Sequence, residues 1–508
     1  MNYNISPKLT AFGRYSYLHF NTQNRQFFGP ELGGAPIAGG QAGLGIGHST
    51  SLTLAGTYVV NPNFVIDANF GYTRLQADSR QPRLDEQVGR TFLGLPGTNG
   101  SRWFEGGWPQ FNIANFTVLG APNGFQPNLL NDPQYQWVAN ANWTKGRHNF
   151  RFGTDIYEQQ LNQTQPEFFG AFFGASGGFG FAAGETSLRG GPRTSEYNSF
   201  GSFLLGATDT LGKIQLIPDS FSLKTRLYSF YARDQWQASR KLTISYGVRW
   251  EYFPMPSRAD RGVERYDFNT NKMLVCGVGQ VPADCGMNMS KKRFVPRGGL
   301  AYRVSETLVL RAGYGITNDP YNLARPLRVN YPILVTLNMN SPNGFAPASR
   351  LADGIPLIPT PDLGNGVIPV DGNVAINTVD PNNFRRGYIQ SWNVAMQKQF
   401  RGGWVGEAAY VATRSVGQLA YYDRNVGRVG GGNASRPLFQ KFGRGQRTAE
   451  ITGLGTYKYD SLQAKLDRRF NRGLQVGVAY TFSKSMGIAG NEDGDGSPAI
   501  GIPEFYAL

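Results

Sequence analysis

Three stretches of this chain alternate between an apolar face and a more polar face for ten residues or more. In 242–252, Leu242, Ile244, Tyr246, Val248, Trp250 and Tyr252 oppose Thr243, Ser245, Gly247, Arg249 and Glu251. In 474–483, Leu474, Val476, Val478, Tyr480 and Phe482 oppose Gln475, Gly477, Ala479, Thr481 and Ser483. In 64–73, Phe64, Ile66, Ala68, Phe70 and Tyr72 oppose Val65, Asp67, Asn69, Gly71 and Thr73. A period of two places successive side chains on opposite faces of a strand, so each stretch is a strand with one apolar and one polar face. Strands of about ten to fourteen residues exceed the ~5–6 typical of soluble sheets and suit a tilted strand crossing a bilayer.

The connections carry a second pattern. Tight turns stand at Ser6-Pro7-Lys8, Asn61-Pro62-Asn63, Lys145-Gly146-Arg147, Ser239-Arg240, Ser305-Glu306, Arg401-Gly402-Gly403 and Asn471-Arg472-Gly473. Between them lie long Gly/Pro/Asn-rich segments at roughly 21–49, 78–133, 161–222, 255–293, 317–387 and 415–456. Structureless loops of ~20 residues count against a compact soluble domain. A transmembrane barrel predicts the alternation, with short periplasmic turns and long extracellular loops, and its closure removes exposed edges.

The expected strands are 7–20, 50–60, 64–77, 134–144, 147–160, 223–238, 241–254, 294–304, 307–316, 388–400, 404–414, 457–470 and 474–486. Met1–Ile5 reads as the stump of a preceding strand, and the chain stops in a Gly-rich segment after the last one. The fold class is therefore all-β, an antiparallel transmembrane β-barrel that is incomplete. Met1–Asn4 has neither a basic n-region nor an apolar h-region, which leaves a cytosolic protein or a chain whose start lies upstream. The barrel pattern selects the second reading, an internal piece of a larger barrel protein.

Composition narrows the chemistry. Charged residues are 17% where ~25% is usual, and aromatics reach 13%, which excludes disorder. No apolar run of ~18 residues offers a membrane helix. A net charge of +15 admits an anionic partner, yet the arginines are scattered singly, so nucleic-acid binding has no clustered face behind it. Three His and two Cys leave little for metal or acid–base chemistry and exclude a disulfide framework.

Several segments together resemble a known family: Lys145-Gly-Arg-His-Asn-Phe-Arg-Phe-Gly153, Ser202-Phe-Leu-Leu-Gly206, Phe230-Tyr-Ala-Arg-Asp-Gln-Trp236 and Leu242-Thr-Ile-Ser-Tyr-Gly-Val-Arg-Trp-Glu-Tyr252. Further along come Phe294-Val-Pro-Arg-Gly-Gly-Leu-Ala-Tyr302, Leu310-Arg-Ala-Gly-Tyr-Gly315, Ser391-Trp-Asn-Val394, Tyr459-Asp-Ser-Leu-Gln-Ala-Lys-Leu-Asp-Arg-Arg-Phe470 and Gly477-Val-Ala-Tyr-Thr-Phe-Ser-Lys484. In order and spacing, from about residue 7 to 486, they are similar to the barrel of Oar-like TonB-dependent outer-membrane transporters, a group abundant in acidobacteria.

The resemblance implies a signal peptide, a regulatory-like β-sandwich, a TonB box and a plug before the barrel. On that expectation, 1–508 is a partial barrel domain in which the plug, the TonB box and the N-terminal domain are not present. It further implies the bacterial outer membrane, outer-membrane lipid as partner, coupling to the TonB complex through the plug, and uptake of an unidentified solute. It implies no cofactor and no nucleic acid. The family has also been linked to surface adhesion and export, so an adhesin, a secretion-linked protein or a passive porin stands as the alternative.

Motifs that could carry other chemistry lack their context. Gly174-Ala-Ser176-Gly-Gly178 matches a nucleophile elbow only formally, since it has no strand–turn–helix and no His or Asp partner. Gly43-Leu-Gly-Ile-Gly47 has no following helix to cradle a phosphate and reads as a loop leading into a strand. Asn491-Glu-Asp-Gly-Asp-Gly496 lacks the bidentate Glu of a calcium loop and reads as a solvated acidic loop. No catalytic constellation emerges, so an enzyme is not expected.

Two features remain as candidate sites. Cys276 and Cys285 share one long loop on the side assigned as extracellular, where the environment is oxidising. That favours a local disulfide over two free thiols. The polar, inward face carries Arg233, Arg249, Glu251, Arg303, Arg311, Gln397, Glu407, Gln463, Lys465 and Asp467. It reads either as a salt-bridged, solvated wall or as a basic lumen that holds a plug and guides an anionic solute. Trp250, Tyr252, Trp392, Trp404, Tyr480 and Phe482 are expected outward, as aromatic girdles.

Overall fold

The computed structural model describes residues 1–487 except 122–123, 167–172, 190–195, 320–322, 324–326, 329, 371, 373, 429 and 472, together with 490–491 and 498–500. The largest sheet holds seventeen strands. Setting aside the short Ile376–Thr378, Gly490–Asn491 and Pro498–Ile500 leaves fourteen in a continuous wall. In chain order these are β1 (Asn2–Ser6), β2 (Leu9–Asn24), β3 (Gly43–Asn61), β4 (Phe64–Arg80), β5 (Asn128–Lys145), β6 (His148–Thr164) and β7 (Phe221–Trp236). They continue as β8 (Leu242–Tyr252), β9 (Phe294–Ser305), β10 (Leu308–Asn318), β11 (Tyr388–Gln399), β12 (Trp404–Asp423), β13 (Thr448–Asn471) and β14 (Leu474–Gly487). Each pairs antiparallel with the next. Among the described residues β1 and β14 do not pair with each other, so the wall is open at those edges. No helix among them is long and apolar enough to cross a membrane.

Tight and long connections alternate strictly, which gathers every tight turn at one end of the wall and every long segment at the other. The turns use local chemistry. Asn61 Oδ1 accepts from the Asn63 amide at 2.9 Å, and Gly146 supplies the positive φ (+60°) between β5 and β6. Along the wall the even positions of β4 and of β6 to β9 share one face with the odd positions of β5. In register, Phe70 meets Trp137, Tyr228 meets Tyr252 and Phe230 meets Trp250. Their rings stand 5.8, 6.3 and 5.8 Å apart. This apolar face is exposed: Val394, Val478 and Phe482 keep 57%, 54% and 68% of their surface uncovered.

Several strands run past their expected boundaries toward the long segments, β2 to Asn24 and β5 from Asn128 among them. β12 runs to Asp423 and β13 begins at Thr448, so residues 415–423 and 448–456 form a paired hairpin rather than a loop. Their inward side chains Leu419, Tyr421, Ala449 and Ile451 pack with Leu161 and Leu223 against loop residues Val263, Met287 and Met289. Above the alternating zone the inner face thus turns apolar, because it is covered by protein instead of water. Gly43–Gly47 belongs to β3 and is not a loop. A Cβ at Gly47 would stand 2.3 Å from the Phe20 ring, so the glycine is there to let that ring lie across the strand.

The long segments are not structureless. Leu334–Asn340, Thr210–Leu216, Gly178–Phe181, Gln110–Ile113 and Leu119–Gly120 form a five-stranded sheet drawn from three different connections. Phe104, Phe179 and Leu211 are fully buried around it, in two apolar clusters. A second sheet joins Glu264–Asp267, Lys272–Val275 and Val367–Pro369 over a core of Tyr266, Met273, Val275 and Ile368. The segments form one folded cap over the end of the wall. A pattern of scattered apolar residues with no sustained period concealed it, since its strands are short and pair across distant parts of the chain.

Candidate functional site

On the inner face of β6 to β10, one transverse row of residues stands out. Arg151 lies opposite Arg233, Arg233 opposite Gly247, Gly247 opposite Arg297, and Arg297 opposite Gly315. Like charges directly opposite one another destabilise a strand pair. The glycines make room for the long side chains. A Cβ at Gly247 would stand 2.7 Å from the Cβ of Arg233, and one at Gly315 would stand 3.4 Å from the Cγ of Arg297. The row borders a concave pocket of about 630 Å³, also lined by Asn140, Asp155 and Tyr231.

The next rows upward consume the nearby acids. Arg249 donates to Asp155 Oδ2 at 3.2 Å through Nη2 and to Glu251 Oε1 at 2.9 Å through Nε. Glu251 also accepts from Asn318 Nδ2 at 2.7 Å. Asp67 accepts from Asn140 Nδ2 at 2.6 Å, and Asn140 Oδ1 accepts from the Tyr231 hydroxyl at 2.6 Å. Arg151, Arg233 and Arg297 are left without an ion pair among the described residues, and Arg151 Nε is buried with no hydrogen-bond partner. Arg297 donates to the Thr317 hydroxyl at 3.4 Å. An unpaired buried donor is costly unless something occupies the space before it.

The other inward candidates are dispersed. Arg311 donates to Gln397 Oε1 at 2.9 Å. Glu407 stands between Gln397 and Lys465 in register, and Lys465 closes an ion pair with Asp467 at 2.8 Å. Arg303 lies near the tight-turn end of β9, opposite Val309. The row therefore brings Arg233 together with Arg151 and Arg297, two arginines that the alternation alone did not single out. Their signal was available: Phe-Arg-Phe and Pro-Arg-Gly place each on the polar parity of its strand. Only the cross-strand register shows that they share one level.

The cap seals onto the rim above this row. Arg293 donates to Asn318 Oδ1 at 3.2 Å and to the Arg386 carbonyl at 2.9 Å. Arg386 donates to the Asp319 carbonyl at 2.9 Å and lies 4.6 Å from the centre of the Phe253 ring. Burial pushes its guanidinium down to about 10. Within the cap, Cys276 and Cys285 are joined by a disulfide with their Cα atoms 5.3 Å apart. Glu264 accepts from Arg258 Nε at 2.8 Å and Arg261 Nη2 at 2.9 Å, a buried ion cluster beside that bridge.

The remaining motifs gather no chemistry. Ser176 is buried, its carbonyl accepts from the Asn99 amide at 3.1 Å, and the chain's histidines all lie on the wall. Residues 492–496 of the acidic loop lie outside the described residues. Among the described residues no group of His, Cys, Asp and Glu is gathered to hold a metal.

Comparison with known proteins adds the following. The family described as "Outer membrane beta barrel domain" matches residues 1–507. A comparison with curated proteins finds no match. The outer membrane transporter YddB from Escherichia coli aligns at 11% identity and a TM-score of 0.45, over 96% of this chain and 54% of its own. The alcaligin outer membrane receptor FauA from Bordetella pertussis aligns at 10% identity and a TM-score of 0.44, over 96% and 52%. The FrpB iron transporter from Neisseria meningitidis aligns at 10% identity and a TM-score of 0.46, over 94% and 51%. The chain spans about half the length of these structures.

Proposed function

The chain belongs to the outer membrane beta barrel domain family and resides in the bacterial outer membrane, and from that premise we propose that it is the barrel of an Oar-like TonB-dependent transporter. Its lumen takes up an anionic solute, or an acidic face of a plug, at the arginine row. The observation that carries this reading is the alignment of Arg151, Arg233 and Arg297 at one level with no carboxylate spent on them. A merely solvated wall would favour alternating signs in register, as in the row of Gln397, Glu407 and Lys465. Between low-dielectric walls, clustered positive charge focuses the field on an anion entering from the cap side.

Energised uptake is tested in cells expressing the complete gene product. Accumulation of a panel of radiolabelled anionic solutes is measured with and without the TonB partner and a proton-motive-force uncoupler. The expected result is uptake that collapses with either treatment and falls about tenfold or more in the Arg151→Gln/Arg233→Gln/Arg297→Gln variant, from the loss of charge-assisted bonds. Uptake indifferent to the TonB partner would overturn the energised mechanism. Uptake indifferent to the arginine variant would overturn the role of the row.

A second reading, a surface-binding protein, has its own observation. The cap helix Glu196–Leu204 leaves Tyr197, Leu204 and the adjoining Leu205 largely exposed, an apolar patch of the kind that marks interaction sites. Cell adhesion abolished by Leu204→Ser/Leu205→Ser, with solute uptake intact, would favour it.

A further inference from the structure

Charge on the lipid-facing side of the wall is ordered by height. Rising from the periplasmic end of β12, the outward positions are Trp404, Gly406, Ala408, Tyr410 and Ala412, and only then Arg414. On β14 they are Leu474, Val476, Val478, Tyr480 and Phe482, and only then Lys484. Arg74, Arg226, Arg414 and Lys484 each stand ten residues from the periplasmic ends of their strands, at Phe64, Trp236, Trp404 and Leu474. Ten residues at ~3.3 Å, tilted by ~40°, rise about 25 Å, which is the height of the apolar band of such barrels. The four cations mark the outer-leaflet boundary.

Their local balance differs. Lys224 and Arg226 share the carboxylate of Glu158, with Lys224 Nζ at 2.9 Å from it. Arg74 donates to Asn131 Oδ1 at 2.7 Å. On β12 to β14 three cations surround one carboxylate. Arg414 faces Lys458, and Asp460 faces Lys484. Asp460 accepts from Arg414 Nη2 at 2.9 Å on both oxygens, and the guanidinium lies 5.2 Å from the centre of the Trp392 ring. Lys458 and Lys484 are exposed and close no ion pair among the described residues. Directly below them on the same face, Leu462 and Phe482 are exposed and opposite each other in register.

We propose that Arg414, Lys458 and Lys484 bind a phosphate group of an outer-leaflet glycolipid, whose acyl chains lie along Leu462, Tyr480 and Phe482. Charge complementarity selects a phosphate, since two cations remain after Asp460 is matched. The position selects a lipid over a free ion, because the site opens onto the lipid-facing stripe and not onto the lumen or the cap. Trp392 holds the Arg414 plane at the interface, where an aromatic ring prefers to sit.

The test uses the protein purified from outer membranes in detergent, titrated with diphosphoryl lipid A, with the same lipid after enzymatic dephosphorylation, and with inorganic phosphate, and read by native mass spectrometry. The wild type should bind the diphosphoryl form, and neither the dephosphorylated lipid nor inorganic phosphate should displace it. Arg414→Gln/Lys458→Gln/Lys484→Gln should weaken binding at least about tenfold, through the loss of three cations facing a charged surface. Lys465→Gln, on the opposite face of β13, should leave binding unchanged, and Asp460→Asn should tighten it by freeing Arg414. Equal binding by a triple variant that keeps its heat-modifiable mobility, equal binding of the dephosphorylated lipid, or displacement by inorganic phosphate would each overturn the proposal. Should the triple variant fail to fold, unchanged binding by Asp460→Asn would overturn it.

Discussion

In the wall, Val394, Val478 and Phe482 turn more than half of their surface outward, while Arg151, Arg233 and Arg249 point inward. In the cap, Phe104, Phe179 and Leu211 are sealed inside. One chain thus packs apolar side chains in two opposite directions. The difference follows from two solvents. Lipid accepts an apolar exterior and forbids an unpaired backbone edge, which favours long paired strands. Water demands an apolar core, and short strands around Phe179 supply one. The same residue types therefore mean opposite things at the two ends of the molecule, and the comparison can be broken by substitution.

The largest effect is expected in the cap. Phe179→Ala should cost about 3–5 kcal/mol of cap stability, through lost transfer energy and a cavity. It should be seen as cap cleavage by added protease at lower urea, with the heat-modifiable mobility of the wall unchanged. If the wall melts together with the cap, the two regions are one cooperative unit. A smaller effect of opposite logic belongs to the wall. Leu462→Arg, outward and near mid-height on β13, should cost about 2–4 kcal/mol of insertion into vesicles, whereas Lys465→Arg on the inward face should stay within about 0.5 kcal/mol. Urea titration followed by tryptophan fluorescence distinguishes them, and equal costs would mean that β13 does not present opposite faces to lipid and lumen. The smallest effect is expected at the Cys276–Cys285 bridge, which spans a sequence separation of 9. Removing it with Cys276→Ser/Cys285→Ser should cost about 2–3 kcal/mol by loop-closure entropy, confined to the cap and read by the same protease assay. A loss of wall folding would place the bridge on the assembly route of the whole chain.

The wall was legible because its signal is local. Alternation from Leu242 to Tyr252 reports a strand and both of its faces without knowledge of any neighbour, and Asn61-Pro62-Asn63 reports its own turn. The cap was not legible because Gln110–Ile113, Gly178–Phe181, Thr210–Leu216 and Leu334–Asn340 become strands only by pairing across long separations, and strands this short carry no periodic signature. The candidate site falls between these cases. That Arg233 and Arg249 face inward follows from parity. That Arg249 is matched by Asp155 and Glu251 while Arg233 is left beside Arg151 does not.

By itself, then, the sequence determined the class of fold, the order and direction of the strands, the end of the wall at which the long segments gather, and which side chains face lipid. Those depend on residue spacing along one strand. Tertiary structure alone decided that the long segments fold into a cap and that three arginines share one level of the lumen. It also decided that Arg414, Lys458 and Lys484 meet around a single carboxylate. Each of these is a matter of register between strands, which hydrogen bonding and side-chain packing fix in three dimensions and which no spacing along the chain encodes.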